Sequence, residues 1–176
     1  SFARRCHNEG IHFVGPGADA IAAMGDKTAA KTLMKKAGVP LVLGYHGEDQ
    51  SLERLKNEAE AIGTPLLIKA SAGGGGKGMR VVRDLDELET ALDGVRREAL
   101  AAFGDDRLLL ERFVDEPRHV EVQVLFDHQG NSVHLFDRDC SIQRRHQKVI
   151  EEAPAPDVTE ATRNAMTAAA LRCGEA

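Results

Sequence analysis

The stretch Leu66-Leu67-Ile68-Lys69-Ala70-Ser71-Ala72-Gly73-Gly74-Gly75-Gly76-Lys77-Gly78-Met79-Arg80-Val81-Val82 decides the fold. Its first four residues read as a short buried strand, and a second strand runs through Met79, Val81 and Val82. Between them, five of the six positions 73–78 are glycine, which would cost conformational entropy in any regular element. Such a loop must approach something closely or move. Its backbone amides can wrap anionic oxygens, with Lys77 adding charge. The alternative is a surface linker, but Gly/Ser linkers rarely sit between two buried strands.

Three phosphate-loop patterns fail here. Gly73, Gly75 and Gly78 satisfy GxGxxG, but that dinucleotide fingerprint requires a helix after the loop and a strand follows. A Walker A loop would need glycine at Ser71 and a Ser or Thr after Lys77. The protein-kinase pattern places its lysine downstream, whereas Lys69 lies upstream. A β-loop-β phosphate lid with its own lysine remains.

Working outward, Asp26 caps a helix whose stripe is Ala29, Ala30, Leu33, Met34 and Ala37, stopped by Gly38 and Pro40. A second helix starts at Ser51, carries Leu52, Leu55, Ala59 and Ile62, and ends at Gly63. A helix from Asp84 to Ala102 follows the loop strands, and Arg107–Phe113 reads as a central strand. In Arg118–Leu125, Val120, Val122 and Val124 alternate with His119, Glu121 and Gln123, giving one core face and one polar face. A turn at Asp127–Asn131 closes a hairpin with a strand through Val133, Leu135 and Asp137. Residues 138–156 show little periodicity and high charge, and a last helix runs from Thr159 to Leu171. The fold class is α+β (α/β), with a small subdomain, 41–113, inserted between flanking pieces.

Composition bounds the function. At 42% hydrophobic and 29% charged residues the 176-residue chain is globular, and its net charge of −5 argues against nucleic-acid binding through an overall field. Cys6, Cys140 and Cys173 are odd in number and widely spaced, which suggests neither a disulfide framework nor a zinc site and fits a reducing compartment. No run approaches the length of a membrane span.

Several side chains stand out. Lys69 ends an apolar strand, an expensive place for an ammonium unless an anion meets it or it snorkels to solvent. Lys27 sits in the first helical turn, where the dipole disfavours a cation, so a bound anion or simple solvation would explain it. His119, Glu121 and Gln123 either line a pocket or form a half-exposed sheet face. Residues 137–148 concentrate cations and hydrogen-bonding groups, as a small-anion site or a solvated basic loop would.

Met24-Gly25-Asp26-Lys27, Ile68-Lys69-Ala70-Ser71 with its glycine loop, Arg118-His119-Val120-Glu121, and above all Arg138 through Lys148 followed by Glu151-Glu152-Ala153-Pro154-Ala155-Pro156 resemble the biotin carboxylases. The resemblance covers nearly the whole chain. It implies an incomplete ATP-grasp fold in which 1–17 end an N-terminal Rossmann-like domain and 18–40 are connecting helices. Residues 41–113 would be the lid subdomain, and 114–176 would begin the C-terminal ATP-grasp subdomain.

The resemblance also implies roles. Lys27 and Lys69 would contact ATP phosphates beneath a lid of Gly73, Gly74, Gly75, Gly76, Lys77 and Gly78, whose closure excludes water from a labile intermediate. Met79 would pack near the base, Glu111, Arg112, Phe113 and Val114 would line the adenine through backbone groups, and His119, Gln143 and His146 would meet ribose and phosphate. Gln147 and Lys148, with Gln143, would act catalytically beside bicarbonate, forming carboxyphosphate and carboxylating biotin on a carrier protein or domain. Magnesium or manganese would bridge the phosphates, bound by glutamates expected beyond Ala176, so that this segment alone would not turn over. A carboxyltransferase partner, self-association, and a cytoplasmic or mitochondrial-matrix location follow from the same resemblance.

Ala72, Lys77, Arg112 and Phe113 depart from residues common in the family, conservatively or where the backbone acts. The remaining readings are another ATP-grasp ligase, of the urea carboxylase or carbamoyl-phosphate synthetase type, and a non-catalytic nucleotide-binding domain.

Overall fold

Polar side chains fix where the helices begin, and leucine-rich and β-branched runs become strands where each finds a partner. The structure, a computed structural model, describes residues 1–72, 78–144 and 147–176. Helices α1 (Phe2–Asn8), α2 (Ala18–Gly25) and α3 (Lys27–Lys36) come first. Asp26 caps α3 by accepting from Thr28 N at 2.8 Å and Ala29 N at 3.1 Å, but of the apolar stripe only Met34 is buried.

A four-stranded antiparallel sheet follows, in the order β1 (Gly44–Tyr45), β4 (Leu108–Arg112), β2 (Leu66–Ala70), β3 (Met79–Val82). Helices α4 (Leu52–Ile62) and α5 (Leu88–Phe103) cover one face of it. Leu66 and Ile68 of β2 and Leu108 and Leu110 of β4 meet Leu55, Leu92 and Val95 there in one apolar cluster. Alternation along each strand therefore sends Leu67, Lys69, Leu109 and Glu111 to the opposite face. Gln50, just before α4, acts as a strand substitute: its Oε1 accepts from Leu108 N at 2.9 Å and its Nε2 donates to Leu108 O at 3.2 Å. The helix expected from Asp84 begins as a 3-10 turn, Leu85–Glu87, because the Asp84 carboxylate caps Asp86 N before the α-helix starts at Leu88.

The second sheet is β5 (Val120–Phe126), β6 (Ser132–Arg144), β7 (Gln147–Glu152), all antiparallel, with α6 (Glu160–Glu175) packed against β5 and β6. Two expectations are corrected here. Residues 138–144 and 147–152 are strand rather than loop, since β6 runs on to Arg144 and β7 pairs with it. The alternation in β5 does not give a clean core face, because the register shifts between Val122 and Val124. Val122 lies opposite Asp137 and Val124 opposite His134, so β6 carries one extra residue, with Phe136 at φ 57. The bulge turns Asp137 inward, to 1% exposure, while Leu135 stays outside. Arg163 of α6 then donates to the Asp137 carboxylate and to Ala155 O at 3.0 Å, fastening helix to sheet.

Leu110→Ala should lower unfolding free energy by about 2–5 kcal/mol in urea titrations, because it empties a fully buried site. Leu125→Ala, on a half-exposed side chain, should change it by no more than about 0.5 kcal/mol.

Candidate functional site

The outer face of the first sheet carries charge where the inner face carries leucine. Lys69 lies opposite Met79 on β3 and Leu109 on β4, and Glu111 lies opposite Leu67 on β2 and Gly44 on β1. Lys27 and Lys31, one turn apart on α3, reach this face. The Glu111 carboxylate takes Lys31 on one oxygen and Lys69 on the other, and Lys27 Nζ donates to Ala70 O at 3.3 Å. Thr28 Oγ1 and Ser71 Oγ, 3.1 Å apart, hold α3 to the start of the glycine loop. Gly44 is required by close approach, since a Cβ there would stand 2.2 Å from Leu110 O and 3.1 Å from the Glu111 Cα.

Two ammonium groups thus meet one carboxylate, and a third, Lys27, stands beside them on Ala70 O, leaving two positive charges in excess (three minus one). Burial, then the neighbouring charge of Lys69, pushes the Lys27 pKa below its ordinary value. For Glu111, burial works upward, but hydrogen bonds from Lys31 and Lys69 overcome it and hold the carboxyl below the usual range. Such a surface is complementary to a multiply charged anion.

The loop strands close just beyond it. Ala70 N donates to Gly78 O at 2.8 Å, and Gly78 adopts φ 66, where an added Cβ would also stand 3.0 Å from the Ala70 Cβ, so a glycine is needed there on backbone grounds. Gly73, Gly74, Gly75, Gly76 and Lys77 lie outside the described residues. After Glu111, the Arg112 side chain turns away to Ile62 O at 2.9 Å while its amide donates to Leu43 O at 2.8 Å. The Phe113 ring packs 5.6 Å beneath Arg83, and Val114 is half-exposed.

A second cluster forms on β5, β6 and β7. Glu121 and Arg138 are directly opposed, and the Glu121 carboxylate accepts from Arg138 and from Lys148 of β7. Lys148 also lies 3.6 Å from Glu151. Hydrogen bonds from Lys148 and Arg138 hold the Glu121 carboxyl down at about 2, and the same contact with Glu121 raises Lys148 above its ordinary value. Gln143, opposite Lys148, places its Nε2 2.7 Å from His119 Nδ1 and 2.8 Å from Cys140 O. Asp139, hydrogen-bonded first by Ser141 and then by Arg118, is held at about 2, and the Arg118 guanidinium also donates to Pro156 O at 2.7 Å.

Of the residues expected to act, Lys27, Lys69, Met79 and Glu111 gather on the first sheet, and His119, Gln143 and Lys148 on the second. Gln147 is exposed and makes no side-chain hydrogen bond among the described residues; His146 lies outside them. Lys31, Arg138 and Glu151 carry no assigned role in the sequence reading, although Arg138 and Glu151 stand within its most specific block. Lys31 had a signal, its four-residue spacing from Lys27, whereas Arg138 and Glu151 join only through strand pairing. Among the described residues Glu121, Cys140 and Glu151 form a group of three metal-capable donors, but both Glu121 oxygens already accept from cations.

Comparison with known proteins sets these clusters in context. The family described as carbamoyl-phosphate synthase L chain, ATP binding domain, matches residues 26–175. The chain is 58% identical over 175 residues to the mitochondrial methylcrotonoyl-CoA carboxylase subunit alpha of Dictyostelium discoideum, covering 99% of itself and 25% of that relative. The structure of the Campylobacter jejuni biotin carboxylase in a β,γ-ATP complex superposes with a TM-score of 0.90 at 44% identity, over 99% of this chain and 39% of that one. The biotin carboxylase domain of Hydrogenobacter thermophilus 2-oxoglutarate carboxylase, in complex with magnesium ADP and bicarbonate, gives 0.88 at 45% identity, over 99% and 38%. The chain therefore spans about a quarter of the curated relative it matches.

Because the folded Glu121 value of about 2 lies below the ordinary 4.5, the stabilisation from its cluster is complete above about pH 4.5 and is lost as pH falls toward 2. Glu121→Gln should lower the melting temperature at neutral pH and flatten its fall across that acid window; an unchanged acid limb would show that Glu121 does not set it.

Proposed function

The chain belongs to the carbamoyl-phosphate synthase L chain ATP-binding domain family, with the ATP-grasp fold, and from that premise we propose that it is the ATP-binding part of a biotin carboxylase. The observation that carries this reading is the excess of half-buried positive charge around Glu111 at the foot of the glycine run. In this reading 41–113 is the lid subdomain, between the connecting helices 18–40 and the subdomain that begins at 114, with 1–17 ending a Rossmann-like domain.

The substrates are ATP, bicarbonate and biotin on a carrier protein or domain. A bicarbonate oxygen forms a bond to the γ-phosphorus as the bond to the β,γ-bridging oxygen breaks, releasing ADP. Carboxyphosphate then breaks its C–O bond to give CO2 and phosphate, the phosphate takes the proton from N1 of biotin, and N1 forms the new N–C bond to CO2. Lys27 and Lys69 neutralise the phosphate oxygens, which need charge balance as the transferring group carries negative charge. Lys148, held by Glu121 and positioned opposite Gln143, offers a fixed cation to bicarbonate and the charge developing on carboxyphosphate. His119, oriented through Gln143, serves the ribose and phosphates with His146, and the amide line Glu111 to Val114 borders the adenine beside Met79. Glycines 73–76 with Lys77 and Gly78 close over the triphosphate.

Magnesium, when bound, screens the phosphates. Of the carboxylates near Lys27, Glu111 has both oxygens taken by lysines and Asp26 is engaged by the α3 cap and by Arg107, so this donor set does not fit a magnesium site. The full enzyme would work with a carboxyltransferase and self-associate. Among the described residues no helix is long and apolar enough to cross a membrane, and the reading places the enzyme in the cytoplasm or, as for the relative from Dictyostelium, in mitochondria.

ADP release in the full-length carboxylase that carries this segment, with bicarbonate and magnesium, should rise on adding free biotin. Lys148→Ala should abolish that stimulation, lowering the biotin-dependent rate by roughly 100-fold or more. ATP cleavage indifferent to biotin would instead favour a carbamoyl-phosphate-type ligase.

A further inference from the structure

Glu111 is almost completely buried, and its two oxygens are held by different lysines. A buried carboxylate must keep at least one counter-ion, because a lone one bears the whole desolvation penalty. The two lysines are not equivalent. The Lys31 side chain is 18% exposed and comes from the middle of α3; that of Lys69 is 25% exposed and stands two residues before Ser71, where the glycine loop begins. Gly44 lies opposite Glu111 on β1, so both lysines reach the carboxylate from other elements, α3 and β2. Lys69 is therefore the partner placed to leave, and Lys31 the partner placed to stay.

We propose that Lys31 is a positioning residue for this site: by remaining on Glu111 it lets Lys69 exchange the carboxylate for a phosphate oxygen of the nucleotide without stranding a buried charge. The inference rests on the nucleotide reading given above. Lys31 touches Glu111 rather than the substrate, and its effect passes through that carboxylate. With Lys31 removed, Glu111 retains Lys69, and the nucleotide must compete for it.

The test is ATP binding by calorimetry in the full-length protein that carries this segment, with melting curves for every variant. Lys31→Met should weaken ATP binding roughly tenfold, the scale of one charged hydrogen bond. Lys31→Arg, which preserves the charge, should stay within about threefold. In a Glu111→Gln background, where no carboxylate retains Lys69, adding Lys31→Met should have less than about a twofold effect, the non-additivity expected of groups acting through one contact. Should Lys31→Met not fold, Lys31→Gln takes its place in both backgrounds. Unchanged ATP binding in the single variant, or an equal loss in the Glu111→Gln background, would overturn the inference and leave the nucleotide reading intact. A wild-type protein that binds no ATP would overturn both.

Discussion

A carboxylate buried in a sheet face must be neutralised where it stands, and Glu111 imposes that demand on everything around it. Its position on β4 follows from alternation, because Leu108 and Leu110 are claimed by the apolar cluster under α4 and α5. Glu111 is thereby turned to the opposite face, where α3 and β2 must each supply a lysine. The Asp26 cap fixes the start of α3 and hence the turn on which Lys27 and Lys31 lie. The edge strand must bring a glycine, Gly44, because the backbone of β4 approaches too closely for a side chain. Core packing on one face thus dictates the electrostatics of the other.

The second sheet is held by ion pairs more than by burial. No residue of β7 is buried, and β5 has no buried residue either. What fixes the strands relative to one another is their antiparallel backbone pairing, to which the Glu121 carboxylate on β5, reaching Arg138 on β6 and Lys148 on β7, and the Arg118–Asp139 pair add cross-strand contacts. Exposed pairs contribute little individually, so this sheet depends on α6, through Arg163 and Asp137, for much of its placement. A region whose strands are joined by charges is one in which a lysine is kept in place without being sealed in.

The main elements were legible from residue patterns: the capped helices α3 and α4, the strands β2 and β3 on either side of the glycine run, the leucine strand β4 and the hairpin turn at Asp127. What periodicity could not reach was structure created by a neighbour. β7 and the second half of β6 carry polar residues on both faces and pair with two register shifts, so no alternation marks them. The bulge at Phe136 inverts the expected facing of Leu135 and Asp137, and a two-residue β1 beginning with glycine contradicts strand propensity. The site was legible in its individual lysines and not in their partners, because Glu111 looks like one more residue of a central strand until the register sets it opposite Leu67, diagonal to Lys69 on the same face. The glycine run that decided the fold, and His146, fall outside the described residues.

The two clusters share one arrangement reached by different chemistry. In each, a carboxylate divides its oxygens between a lysine expected to meet substrate and a second cation. At Glu111 the two partners are both lysines, and burial ranks them. At Glu121 the side-chain exposures of Arg138 and Lys148 are nearly equal, 38% and 37%, so burial cannot rank them. There the difference lies in the groups: Arg138 directs Nε and Nη2 together at Oε1, whereas Lys148 gives a single contact to Oε2. A forked guanidinium loses less on fixing its geometry than an ammonium on a flexible stem, which makes Arg138 the firmer partner of Glu121 and leaves Lys148 held by one contact. A cation stored on a carboxylate is kept in position before the substrate arrives, and the second cation keeps the carboxylate from becoming an uncompensated charge once it moves.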